Sequence, residues 1–154
     1  MSIIKTEVEF TKMIMDFAIY NLGEYVKHLS DDRRNPYVCN FGLPRHREIT
    51  TRCAKSFAKY LTDDTNGAAM TVIYVCRSVE EFLLTAKTFS QNRRVKVVLG
   101  RLFEDDKNCL VGVDLDYTVV IMDNSDIPVQ CVIDAVYEIG YNASPMIIAF
   151  GENN

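Results

Sequence analysis

Histidine is scarce in this chain, at two in 154 residues, and no C-x-x-C pair occurs among its five cysteines. These absences exclude a zinc finger, whose tetrahedral site needs Cys and His at short, fixed spacings. The cysteines (Cys39, Cys53, Cys76, Cys109, Cys131) are odd in number, widely spaced and set mostly among apolar neighbours, the pattern of buried reduced thiols. No apolar run approaches the ~18 to 20 residues of a transmembrane helix. The opening MSIIKTEVEF carries acidic residues where a signal peptide would be basic and then apolar. A cytoplasmic protein with no membrane partner is expected. Positive charge is not in excess either: a net charge of -4 excludes a wholly basic surface for nucleic acid, while leaving room for a local basic stripe. Internal repeats, linkers and low-complexity segments are absent, and only ENN at the end reads as a free tail.

What is present is ample core material, with 48% hydrophobic and 25% charged residues, enough for one domain over 1–154. In an N-terminal helical segment, residues 1–30, Val8, Phe10, Met13, Ile14, Phe17, Ala18, Leu22, Tyr25, Val26 and Leu29 recur in threes and fours, the period of an amphipathic helix, which Gly23 is expected to bend or split. SDDRRNP then marks a loop.

From about residue 35 to 152, short apolar strands alternate with helices. YVCNF is a strand stopped by Gly42 and Pro44, and a helix over 49–61 follows, with Ala54, Phe57, Ala58 and Leu61 on one side and Arg52, Lys55 and Lys59 on another. AMTVIYVC and SVEEFLLTAKTF repeat the order, Ser78 and Glu81 fitting a capping box. RVKVVLG and CLVGV read as two strands around the polar turn FEDDKN. YTVVIMDN, a Pro128-initiated helix IPVQCVIDAVYEIG and the strand PMIIAFG complete the chain. Strands apolar on both faces and alternating with helices imply an α/β fold: a mostly parallel sheet of about five or six strands covered on both sides.

Ligands of open α/β sheets bind at the carboxyl ends of the strands, so the loops after Phe41, Met122 and Phe150 carry the interest. The order of strand, GLPRHREITT, helix, strand, helix, then YTVVIMDN, helix and PMIIAFGEN over residues 35–152 resembles the RecA-like core of P-loop NTPases. It is nearest to the ATPase domain of tailed-phage large terminases and related helicases. Against that family's Walker A pattern R-Q-x-G-K-[ST]-T, the run Arg45, His46, Arg47, Glu48, Ile49, Thr50, Thr51 keeps the arginine and both hydroxyls but loses the glycine and the lysine. VVIMDN is similar to a Walker B strand, with Asp123 retained and Asn124 where the catalytic glutamate would stand. The resemblance implies a phosphate-binding set of Arg45, His46, Arg47, Thr50 and Thr51. It also implies a Mg²⁺ site at Thr50 and Asp123 if nucleotide binds, and Asp123 with Asn124 as the catalytic positions if the protein is active. Glu48 would bring a carboxylate towards phosphates, and Ile49 supplies no cation, so poor nucleotide affinity is expected.

Other constellations have bland readings beside functional ones. Arg45, Arg47, Arg52, Lys55 and Lys59, with Arg33 and Arg34, form a candidate nucleic-acid patch, partly neutralised by Asp31, Asp32, Glu48, Asp63 and Asp64. Arg93, Arg94, Lys96 and Arg101 flank a strand, where charges commonly block unwanted pairing. Asp114, Asp116 and Asp123 suggest a carboxylate metal site, but a polar turn before a buried strand explains the first two better. Glu80 and Glu81 suit a helix's first turn. Neither His28 nor His46 has a nucleophile beside it.

The expectation is a non-catalytic P-loop-NTPase-like binding or assembly protein, of viral origin on the resemblance, acting in host cytoplasm or virion. Its partner would be a protein or nucleic acid, and no cofactor is expected. The alternatives are a divergent ATPase of nucleic-acid-processing type using Mg-ATP, with Arg45 or Arg47 replacing the lost lysine, and a structural subunit with only a similar fold.

Overall fold

The computed structural model describes residues 3–31, 35–41, 47–63, 70–115, 117–139 and 144–153. The chain runs α1 (Ile3–Asp31), β1 (Tyr37–Phe41), α2 (Arg47–Thr62), β2 (Thr71–Cys76), α3 (Val79–Thr88), β3 (Val95–Leu99), α4 (Arg101–Asp105), β4 (Thr118–Asp123), α5 (Val129–Ile139) and β5 (Met146–Phe150). The five strands form one sheet in the order β1-β5-β4-β2-β3, every neighbouring pair parallel. Helices cover both faces, giving a three-layer α/β architecture consistent with a RecA-like fold.

The three inner strands are buried on both faces from Val72 to Cys76, Thr118 to Asp123 and Met146 to Phe150, which is why their sequences are nearly continuous in Val, Ile, Met and Phe. Strand alternation sorts these residues into two cores. Val72, Tyr74, Cys76, Val119, Ile121, Ile148 and Phe150 face α1, α2 and α3. Ile73, Val75, Val120, Met122, Ile147 and Ala149 face α4 and α5.

Helix α2 buries Ile49, Thr50, Cys53, Ala54, Phe57, Ala58 and Leu61, a stripe in threes and fours in which two alanines let it lie close to the sheet. Helix α1 lays Ile14, Ala18, Leu22 and Tyr25 on the same core, and the Tyr25 hydroxyl donates to Ser144 O at 2.8 Å. Gly23 does not split α1: it is exposed, and the helix runs through it unbroken, since one glycine costs about 1 kcal/mol against the packing of the whole inner stripe.

The capping box starts α3, where the Glu81 N–H donates to Ser78 Oγ at 3.2 Å. A correction concerns CLVGV, which is not a strand. Residues 109–112 form turns, with Gly112 at φ 86°, and Leu110 and Leu115 anchor the segment against the α4–α5 core. Its apolar residues cover a sheet face instead of extending the sheet, and FEDDKN contributes its first residues to α4.

Candidate functional site at the carboxyl edge of the sheet

The odd-numbered residues of β4 face α2, so Asp123 at the strand's end turns towards the first turns of that helix, on the side that β2 gives to Tyr74. Three neutral donors converge on the buried carboxylate. Thr51 Oγ1 donates to Asp123 Oδ1 at 2.7 Å, Asn124 Nδ2 to the same oxygen at 3.0 Å, and the Tyr74 hydroxyl to Oδ2 at 2.6 Å. No Lys or Arg forms an ion pair with Asp123 among the described residues. Burial, and then the charge of Asp123, push Tyr74 well above the usual tyrosine range, so it stays protonated and donates.

Asn124 ties three elements together from the left-handed region, at φ 44°, which asparagine tolerates better than most residues. Its Nδ2 also reaches Thr50 Oγ1 at 3.1 Å and Thr51 Oγ1 at 3.2 Å. Thr50 Oγ1 in turn donates to Arg47 O at 3.0 Å. Asn124 Oδ1 accepts from the Glu152 N–H at 2.8 Å, and its main-chain N–H donates to Phe150 O at 2.9 Å. Gly151, at φ 75°, is the residue this packing requires, because a Cβ there would overlap the Asn124 side chain. Ser125 N–H and Oγ donate to Asn153 Oδ1 at 2.8 and 2.5 Å, so residues 151–153 close over the end of β4.

Thr50, Thr51, Asp123 and Asn124 therefore meet. Ile49 lies 7% exposed within the core, while Glu48 is exposed. Arg47 pairs with Glu152 at 3.0 Å across the surface, a contact worth about 0 to 1 kcal/mol. Arg45 and His46 lie outside the described residues, as do Arg33, Arg34, Asp32, Asp64 and Asp116. Arg52 is exposed, the charge of Lys55 is felt by the Cys76 thiol at the carboxyl end of β2, and Lys59 lines a cavity with Arg93 and Arg94 at the opposite edge of the sheet. Asp114 is exposed while Asp123 is buried, and among the described residues no three His, Cys, Asp or Glu side chains converge on a metal position. His28 bonds Asn35 O at 2.7 Å.

Tyr74, Ser125, Gly151, Glu152 and Asn153 were not legible as site residues. The one sequence signal was a tyrosine interrupting an otherwise aliphatic strand, which needs a partner for its hydroxyl when buried. Helix α3 leaves β2 on one face and α5 leaves β4 on the other, so the crevice between these neighbouring strands is the switch point at which open sheets bind ligands. It is bordered by Arg77 and Asp126, whose charged groups are 4.0 Å apart, and by Cys76, whose thiol burial pushes up to about 11, which keeps it protonated and unreactive at neutral pH.

These residues do not fit Mg-ATP. Both Asp123 oxygens are engaged, Asn124 is no acid or base and is spent on the scaffold, and Ile49, which precedes the two threonines, is a buried apolar residue that offers phosphate no charge. No helix among the described residues is long and apolar enough to cross a membrane. No family model, no curated protein and no solved structure matches this chain.

Proposed function

We propose that the protein is a non-catalytic binding or assembly module that keeps the framework of a P-loop NTPase without its chemistry. One observation carries this reading: the Thr50, Thr51, Asp123 and Asn124 cluster is closed by its own hydrogen bonds to Tyr74, Arg47 O and Glu152 N–H. Water activation needs a base within hydrogen-bond reach of an open position, and here the residues that would serve are structural. They fasten α2, β4 and the segment after β5 into one rigid edge. Calorimetric titration with Mg-ATP, beside an Asp123→Asn control, tests the proposal. The expected result is no binding up to about 1 mM, an affinity worth only ~4 kcal/mol. Micromolar binding lost in the control would overturn it in favour of a divergent ATPase.

A further inference from the structure

We infer that the free edge of β3 is a docking site for an extended acidic peptide segment of a partner protein, which joins the sheet as an additional antiparallel strand. The inference is independent of the reading given to the Asp123 cluster.

Among the described residues β3 ends the sheet and pairs with β2 alone. Their ladder runs from Val72 N–H donating to Arg94 O to Gly100 N–H donating to Cys76 O, both at 2.7 Å. Parallel pairing uses alternate residues of a strand, so the even-numbered residues address β2, and the main-chain groups of Val97 and Leu99 point outward. Among the described residues no strand meets them. Every residue of β3 retains some exposure, in contrast to β4 and β5. An antiparallel strand at the edge of an otherwise parallel sheet is a common arrangement.

Cavities stand at both ends of this edge. At the start of β3, one of about 510 Å³ presents Lys59, Arg93 and Arg94 with the polar side chains of Thr62, Thr88 and Asn92. At its end, one of about 310 Å³ is walled by Phe82, Val98 and Leu102, with Arg101 and Asp105 as its charged residues. Five residues at about 3.3 Å each span ~16 Å, so a short extended segment reaches from one cavity to the other.

Charge selects the occupant. Arg93, Lys96 and Arg101 are exposed and form no ion pair among the described residues, in a chain whose net charge is -4. Two copies joined by their β3 edges would bring these cations against one another, and like charges opposed across strands repel. An acidic strand is attracted by the same residues. Asp105 sits only at the far end, so the polarity is set: acidic side chains opposite Arg93 and Lys96, and an apolar one among Phe82, Val98 and Leu102. Backbone pairing supplies affinity, and the end cavities supply specificity.

The test uses the full chain and a fluorescein-labelled peptide, Leu-Thr-Val-Thr-Val-Glu-Asp-Asp, by anisotropy, with amide hydrogen exchange read by NMR. The expected result is saturable binding with a dissociation constant below about 1 mM. Arg93→Glu and Lys96→Glu, both surface changes, should each weaken it about tenfold, and exchange should slow at the Val97 and Leu99 amides. The inference is overturned by no saturation, by equal binding of a peptide with lysines replacing the acids, or by binding that leaves Val97 and Leu99 exchange unchanged. Tighter, Arg93-dependent binding of a fifteen-nucleotide oligothymidylate would assign the edge to nucleic acid instead. A dimer in sedimentation that Lys96→Glu disrupts would assign it to a second copy.

Discussion

Replacing Gly151 by alanine tests whether the closed cluster at the carboxyl edge holds three elements together. At φ 75° an alanine is strained, a cost of about 1 to 2 kcal/mol. Its Cβ would stand 2.6 Å from Asn124 Cγ and 2.8 Å from Nδ2, too close for either atom to stay. Asn124 would have to swing away, abandoning the Glu152 N–H and the oxygens of Thr50, Thr51 and Asp123. A buried polar group left without its partner costs about 1 to 3 kcal/mol, so strain and lost contacts together amount to roughly 2 to 5 kcal/mol, a large part of the 5 to 15 kcal/mol that holds a domain. In urea, with an m-value of about 2 kcal/mol/M, the midpoint should fall by roughly 1 to 2.5 M at unchanged m. The same change in an Asn124→Gly background meets no side chain, so only the strain of about 1 to 2 kcal/mol should remain. A Gly151→Ala protein within about 0.5 kcal/mol of the parent, or an equal cost in both backgrounds, would refute the reasoning.

Three further outcomes are expected. Tyr74→Phe removes a donor to a buried carboxylate and should cost about 1.5 to 3 kcal/mol at neutral pH, read by chemical denaturation. Alkaline stability follows from Tyr74 and from the thiols of Cys39 and Cys76, which burial pushes up to about 12 and about 11. Because each folded value lies above the unfolded one, the stabilisation is complete below the unfolded values, about 9 for the thiols and 10 for the tyrosine, and it is lost as pH climbs towards the folded ones. Stability should therefore decline from about pH 9, and less steeply above pH 10 in Tyr74→Phe, as urea midpoints across that range would show. Ile49→Lys introduces the lysine of a Walker A pattern but places an ammonium where the side chain is 7% exposed. It should destabilise by several kcal/mol without creating Mg-ATP affinity, and calorimetric binding at micromolar levels would contradict the account of the site.

The mixed character of the chain was legible because hydrophobic period is local information. Threes and fours in α2, continuous apolar runs in β4 and β5 and the Ser78 cap each report their own element without reference to a partner. CLVGV shows the limit of that logic. Four apolar residues around one glycine satisfy a strand and a buried turn equally, and only the α4–α5 core, which takes Leu110 and Leu115, decides between them. Gly23 makes the same point in the other direction, since tertiary packing along α1 outweighs a local breaker.

At the site, the sequence by itself determined that Ile49 supplies no cation and Asn124 no general base, because residue identity needs no coordinates. It also determined an α/β chain with its interesting residues at the ends of strands. The tertiary structure alone decided that Asp123 is met by Tyr74 and Thr51, that Asn124 and Gly151 are one packing unit, and that Lys59 and Arg93 line one cavity. The physical reason is that these contacts join residues 27 to 72 positions apart in the chain, through strand order and crossover, and neither is written in any local period.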